Sequence, residues 1–281
     1  LAQSKEASSE NICFFDEEVH KKKEFENFIE SNMQQALDSQ CFEMVLQPKM
    51  NLQTNSVIAA EALVRWRLED GTYLPPSSFV DIFEKNRFCS KLDFYMLKKA
   101  IQQIRKWIDM GMNPVNISVN QSKIVFYHEN YISELKSLLE EYNVSGSYIT
   151  LEVLESTVIE DIDIFNSILT EVKKLGFSVS LDDFGSGYSS LNVLSKLQID
   201  ELKIDRIFLH TKSEVDNQRT KWILESIIDI AKKSQILVVV EGVESKQDDL
   251  FIKNLGADVG QGYFYGRPLS ISAFNDLIET K

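Results

Sequence analysis

The stretch Phe177-Ser178-Val179-Ser180-Leu181-Asp182-Asp183 alternates apolar and polar residues and ends on two acids. Alternation of this kind predicts a strand, because successive side chains point to opposite faces. Phe177, Val179 and Leu181 share one face, and Asp182 lies on the other. Working outward, further strands are predicted at Glu43–Lys49, Val57–Trp66, Pro114–Ser118, Tyr148–Leu154, Glu201–Asp205, Ile236–Glu241 and Ala257–Gln261. Helical stretches separate most of them: Lys91–Met110, Tyr131–Tyr142, Ile164–Leu175, Gln218–Lys233 and Lys246–Asn254. Eight strands interleaved with helices predict an α/β fold, a TIM-like (β/α)8 barrel. The short turn Asn51–Asn55 joins the first two strands, so the first strand is expected to be antiparallel and the barrel irregular at its start.

The chain has 281 residues, 43% of them hydrophobic, which suits one large domain at 20–281. Residues 1–19 read as a leader, polar and helix-like over Leu1–Ser9 and strand-like over Asn11–Asp16. Glu24–Ser39 follows as an amphipathic helix with Phe25, Phe28, Ile29, Met33 and Leu37 on its apolar face. The longest aliphatic run, Ile236 to Val240, is far short of a membrane span, and the N-terminus lacks a signal-peptide pattern. A cytoplasmic chain without a membrane segment is expected, though a parent protein could carry an anchor upstream. Cys13, Cys41 and Cys89, like His20, His128 and His210, show no metal-ligand spacing. A net charge of −13 argues against binding polymeric nucleic acid, which depends on phosphate neutralisation by Lys and Arg.

Strand phase sorts the polar residues. Asn116, Glu152, Asp182 and Lys203 fall in the phase of the barrel lumen, and Glu61 and Arg65 share a face opposite Ala60, Ala62 and Val64. Glu241 ends the run Ile236–Val240, and Gln261 ends the last strand. Barrel enzymes keep their chemistry at the C-terminal ends of the strands. Several carboxylates gathered there cannot all ionise without cations between them, and only Arg65 and Lys203 are in phase to serve. Carboxylates and an amide oxygen suit Mg²⁺, Mn²⁺ or Ca²⁺ rather than zinc. Asp182-Asp183 is the natural bridge between two ions about 3.5–4 Å apart, as in phosphoryl-transfer sites.

Glu61-Ala62-Leu63 gives the EAL family its name, and the rest of the family's pattern accompanies it in order. Gln47-Pro48 stands on the first strand, Asn116-Ile117-Ser118 on the third and Leu151-Glu152-Val153-Leu154-Glu155-Ser156 on the fourth. Asp182-Asp183-Phe184-Gly185-Ser186-Gly187-Tyr188-Ser189-Ser190 follows on the fifth, then Leu202-Lys203-Ile204-Asp205-Arg206, Glu241-Gly242-Val243-Glu244, and Gln261-Gly262-Tyr263 with Arg267-Pro268. From about residue 25 to 270 the chain resembles the EAL-domain cyclic di-GMP phosphodiesterases. Its leader resembles the tail of a GGDEF domain. The family usually has Thr where Leu154 stands, and Phe79–Arg87 lacks the usual Pro and Thr-Gly; neither departure removes a ligand.

The resemblance implies hydrolysis of cyclic di-GMP to linear pGpG with two divalent cations, Mg²⁺ or Mn²⁺; Ca²⁺, with its longer and looser oxygen coordination, is expected to inhibit. It implies that Glu61, Asn116, Glu152 and Asp182 hold one ion. Asp182 and Asp183 would hold the other, with Glu241 as a further ligand or base. It gives Lys203 and Gln261 to the attacking water, Gln47 and Arg65 to the substrate, and Glu244 to the support of a ligand. Glu155 would anchor the Phe184–Ser190 loop near a homodimer contact. The resemblance also allows an upstream GGDEF or sensory domain. Two rivals are a receptor that binds the dinucleotide without cutting it, which usually lacks an acidic ligand, and a Mg²⁺-dependent enolisation barrel, which would not need the Asp182–Ser190 segment.

Overall fold

The computed structural model describes residues 2–155, 162–185, 191–209 and 214–279, with the backbone alone at 2–18, 191–193 and 214–217. The chain divides into two compact units, Leu1–Glu43 with Val64–Cys89, and Met44–Leu63 with Ser90–Lys281.

The first unit contains helix α1 (Ala2–Asp38) and the short helix α2 (Val80–Lys85). Its core is aromatic. Phe42, Trp66, Phe79 and Phe83 are buried, with ring centroids 5.1 Å apart for Phe42–Trp66 and for Phe79–Phe83. On α1, Ile29 and Ala36 are buried two turns apart, while Phe25 and Phe28 stay partly exposed, so the apolar face is narrower than the sequence suggests. Asn11–Asp16 is not a strand: α1 runs through it. A short apolar run fits either a strand or a buried helix face, and helix-favouring Glu and Lys residues continue the helix behind it.

The second unit holds the barrel. Its strands are β1 (Phe42–Asn51), β2 (Ser56–Arg67), β4 (Asn116–Asn120), β5 (Ile149–Leu154), β6 (Ser178–Phe184), β7 (Glu201–Ile204), β8 (Leu237–Val240) and β9 (Val259–Gln261). β1 and β2 begin and end, respectively, in the first unit, where β3 (Tyr73–Leu74) pairs antiparallel with the end of β2. Neighbours follow the order β1-β9-β8-β7-β6-β5-β4-β2, and a β1–β2 pairing closes the ring. All these pairs are parallel except those of β1, which runs against β9 with Lys49 opposite Gln261. The reversal follows from the turn after Asn51. The Asn51 side chain accepts from the backbone N–H groups of Gln53 and Thr54, both at 2.9 Å, and Asn55 takes a left-handed conformation at φ 52°.

Helices α3 (Cys89–Asp109), α5 (Tyr131–Tyr142), α6 (Ile162–Lys174), α8 (Glu214–Lys233) and α9 (Lys246–Leu255) alternate with the strands. Shorter pieces are α4 (Lys123–Phe126) and α7 (Leu191–Lys196), and α10 (Ile271–Glu279) ends the described chain. Val179, Leu181, Leu202, Ile204, Val238 and Val240 are fully buried. Each such side chain contributes roughly 1.5–3 kcal/mol of transfer free energy. α9 starts on a capping box of Ser245 and Asp248. Among the described residues, no helix is long and apolar enough to cross a membrane. The third barrel strand is Asn116–Asn120 rather than Pro114–Ser118; Pro114 has no N–H to give to a ladder.

Candidate functional site

Strand alternation brings one set of polar side chains into the lumen at the C-terminal ends of the parallel strands. At the centre lies Lys203 of β7, 1% exposed. Its Nζ lies 2.8 Å from Glu152 Oε2, 2.8 Å from Glu241 Oε1, 3.0 Å from Asp182 Oδ2 and 3.3 Å from Glu61 Oε2. Four strands, β2, β5, β6 and β8 with the residue that follows it, thus converge on one ammonium group. Glu61 is fixed at both oxygens from its other neighbours. Gln261 Nε2 donates to Oε2 at 2.6 Å and Asn120 Nδ2 to Oε1 at 3.0 Å. Gln47, Glu61, Asp182, Asp183, Glu241 and Gln261 line a cavity of about 350 Å³, with Arg206, Glu244 and Tyr263 at its side.

Asp182 and Asp183 are neighbours on one strand, and plain alternation would send their side chains to opposite faces. The strand is irregular there. Pairing of β6 with β7 shifts register between Leu181 and Phe184, and Asp183 sits in the left-handed region at φ 58°. A bulge re-aims a side chain in this way, and such features gather at functional sites. As a result Asp182, Asp183 and Glu241 each bring a carboxylate oxygen within 4.8 Å of the others. Gly262 is required for a different reason: a Cβ there would stand 2.3 Å from the Val243 backbone nitrogen. That close approach holds the segment after Glu241 against the segment after Gln261.

The charges do not balance. Burial pushes the carboxyls of Glu61, Asp182 and Asp183 up, and it takes Glu241 to about 8 against the pull of Lys203. Glu152 goes the other way: burial opposes its ionisation, yet Lys203 and Lys49 together hold it down at about 2. The carboxyl groups of Glu61, Asp182, Asp183 and Glu241 lining one pocket, with Glu152 buried behind them on Lys203, offer only oxygen donors and fit hard divalent cations such as Mg²⁺ or Mn²⁺.

Most residues expected from the sequence meet here: Glu61, Glu152, Asp182, Asp183, Lys203, Glu241, Gln261 and Gln47, whose Oε1 is 3.5 Å from Gln261 Nε2. Asn116 does not. It lies in the lumen phase but at the opposite end of β4, where Nδ2 donates to Ser147 O at 3.2 Å and Oδ1 accepts from Thr150 at 2.9 Å. The amide that reaches the site is Asn120, two strand repeats further on. Alternation fixes the face of a residue but not its height in the barrel, and height is set by pairing: Glu61 stands opposite Ser118, and Asn120 opposite Glu152. Asn120-Gln121-Ser122 offers the same Asn-x-Ser spacing as Asn116-Ile117-Ser118, so a signal was present.

Lys49 and Glu201 were also missed. Lys49 has the lumen phase of Gln47, but the strand runs downward, so its place under the site became visible only with the fold. Arg65 belongs to the first unit, where Nη1 donates to the Val64 carbonyl oxygen at 2.8 Å. Glu244 lines the cavity, and its backbone N–H donates to Asp248 at 3.1 Å. Glu155, just past β5, is buried. Of the segment it was expected to anchor, residues 186–190 lie outside the described residues.

The family model of the EAL domain matches residues 30–268. The chain is 30% identical over 269 residues to the bifunctional diguanylate cyclase/cyclic di-GMP phosphodiesterase MucR of Pseudomonas aeruginosa, covering 96% of this chain and 39% of that protein. It is 32% identical over 278 residues to the cyclic di-GMP phosphodiesterase NbdA of the same organism, covering 99% and 35%. The chain therefore spans between a third and two fifths of the length of these relatives. Among solved structures, the MucR phosphodiesterase in complex with c-di-GMP superposes with a TM-score of 0.80 at 32% identity, over 88% of this chain and 99% of that one. The EAL enzyme Bd1971 with cAMP and cyclic di-GMP gives 0.82 at 29% identity, over 93% and 70%. Glu61 of the tripeptide at 61–63 lines this pocket, the matched region holds all the strands that build it, and the chain belongs to the EAL domain family.

Proposed function

We propose that this chain hydrolyses cyclic di-GMP to linear pGpG with two divalent cations. The observation that carries the reading is the bulge at Asp182-Asp183, which turns two adjacent carboxylates to one side, beside Glu241. Glu61, Asn120, Glu152 and Asp182 would hold one cation, and Asp182, Asp183 and Glu241 the other. Bound there, Mg²⁺ or Mn²⁺ would acidify a water and offset charge on the phosphate. Lys203 keeps the carboxylates from repelling one another and places a fixed positive charge beside the reacting phosphate. Gln261 fixes Glu61 and places the attacking water, and Gln47 contacts the dinucleotide. The names of MucR and NbdA, and the c-di-GMP in the MucR structure, support this substrate class. The same reading has the chain work in the cytoplasm as a homodimer, with a GGDEF or sensory domain ahead of it.

Incubated with cyclic di-GMP and Mg²⁺ or Mn²⁺, the chain is expected to yield pGpG, and chelator is expected to stop it. Ca²⁺ should bind without supporting turnover, since it takes oxygen ligands at about 2.3–2.6 Å in looser geometry than the 2.0–2.1 Å of Mg²⁺. Tight dinucleotide binding with no product in any metal would instead make the chain a receptor.

The corrected ligand gives a paired test. Asn120→Ala is expected to weaken Mn²⁺ binding by about tenfold or more, because it removes an amide from the site and frees Glu61. Asn116→Ala is expected to cost about 1 kcal/mol of stability and leave Mn²⁺ affinity unchanged. Calorimetric titration of both variants checks this, and the reverse pattern would restore Asn116 as the ligand.

A further inference from the structure

Below the carboxylates the lumen holds a second buried lysine. Lys49 of β1 is 0% exposed and surrounded by acceptors. Its Nζ donates to Ser118 Oγ at 2.7 Å, Glu152 Oε1 at 2.8 Å and Glu201 Oε1 at 2.8 Å, which uses all three of its protons. Glu152 is therefore gripped at both oxygens by different strands. Lys49 takes Oε1 from below, and Lys203 takes Oε2 from the side where Glu61, Asp182 and Glu241 gather. Barrel interiors are ordinarily filled by bulky branched apolar residues in layers. A lysine paired with two glutamates in that place carries a large desolvation penalty, and apolar residues of similar volume commonly serve stability as well or better. Packing does not account for the arrangement; the orientation of Glu152 does.

We propose that Lys49 is a positioning residue for the metal centre: anchored by Ser118 and Glu201, it fixes the Glu152 carboxylate so that Oε2 alone is presented to the cations. The inference rests on the reading of Glu152 as a metal ligand. Lys49 itself touches neither substrate nor cation. Its effect is that of the hydrogen-bonding partners behind metal ligands, whose loss costs about 10–100-fold in metal affinity or activity.

The test replaces the pair so that no lone charge is left buried. Lys49→Met with Glu201→Met keeps the volume, and Lys49→Gln with Glu201→Gln keeps a neutral polar contact. Each is measured beside the unmodified chain by thermal unfolding without metal, by Mn²⁺ titration in a calorimeter, and by turnover across Mn²⁺ concentrations. The apolar pair is expected to unfold at the same temperature as the unmodified chain or higher. Both pairs are expected to bind Mn²⁺ about 10–100-fold more weakly, and saturating Mn²⁺ should recover most of kcat. Folded variants with unchanged Mn²⁺ affinity would overturn the proposal and leave the metal reading standing. If neither pair folds, Lys49 is scaffold and the proposal fails. An unmodified chain that binds no Mn²⁺ would overturn the metal reading and this inference with it.

Discussion

Asp183→Gly is expected to lower turnover of cyclic di-GMP by roughly 10²–10³-fold, the usual cost of removing one preorganised stabiliser of transition-state charge, while leaving the metal-free protein as stable as before or more so. The two halves of this expectation have separate causes. Asp183 holds the left-handed conformation at φ 58°, and burial among other acids pushes its carboxyl up. A strained non-glycine residue costs on the order of 1–3 kcal/mol, and glycine relieves the backbone part of that cost. Asp183→Asn separates backbone from charge, because Asn tolerates the same conformation, and it should lose turnover to the same extent. Thermal unfolding with chelator, together with initial rates in Mg²⁺, decides the matter. A melting temperature several degrees lower with turnover retained would make Asp183 a structural residue of the bulge.

Lys203→Met should separate binding from chemistry. Without metal, Lys203 is the shared counter-ion of Glu61, Glu152, Asp182 and Glu241. Removing one partner of a buried ion pair is destabilising by roughly 3–5 kcal/mol, so the metal-free variant should melt at a lower temperature. Added Mn²⁺ meets carboxylates with no competing ammonium group, so it should bind more tightly and recover more stability than in the unmodified chain. Turnover should still fall by about 10²–10³-fold, because the fixed charge beside the phosphate is gone, and KM should change far less than kcat. Weaker Mn²⁺ binding with unchanged kcat would reassign Lys203 to holding the metal rather than assisting the reaction.

Much of this site can be read before the fold is known, and its gaps have physical causes. Alternation with a period of two assigned Glu61, Glu152, Asp182 and Lys203 to the lumen, and the structure gathers them there. The same alternation is blind to height: it puts Asn116 in the lumen phase, but strand register, a long-range property set by Glu61 against Ser118 and Asn120 against Glu152, brings Asn120 to the site instead. Alternation also cannot foresee its own interruption. The bulge that brings Asp183 to the side of Asp182 depends on how β6 meets β7. Lys49 remained hidden for a third reason. On the reversed strand, residues later in the sequence lie deeper in the barrel, so a lysine two positions after Gln47 becomes the floor of the site. The strand expected at Asn11–Asp16 shows the limit of local pattern: six residues fit two structures, and the helix α1 prevails.

The most direct test of hydrolysis by a metal-assisted water is a single turnover of cyclic di-GMP in ¹⁸O-water with Mg²⁺, with the product examined by mass spectrometry. The expected result is linear pGpG with one ¹⁸O in its terminal phosphate, and no product when chelator is present. Unlabelled product, product formed equally well in chelator, or bound dinucleotide recovered intact would contradict it.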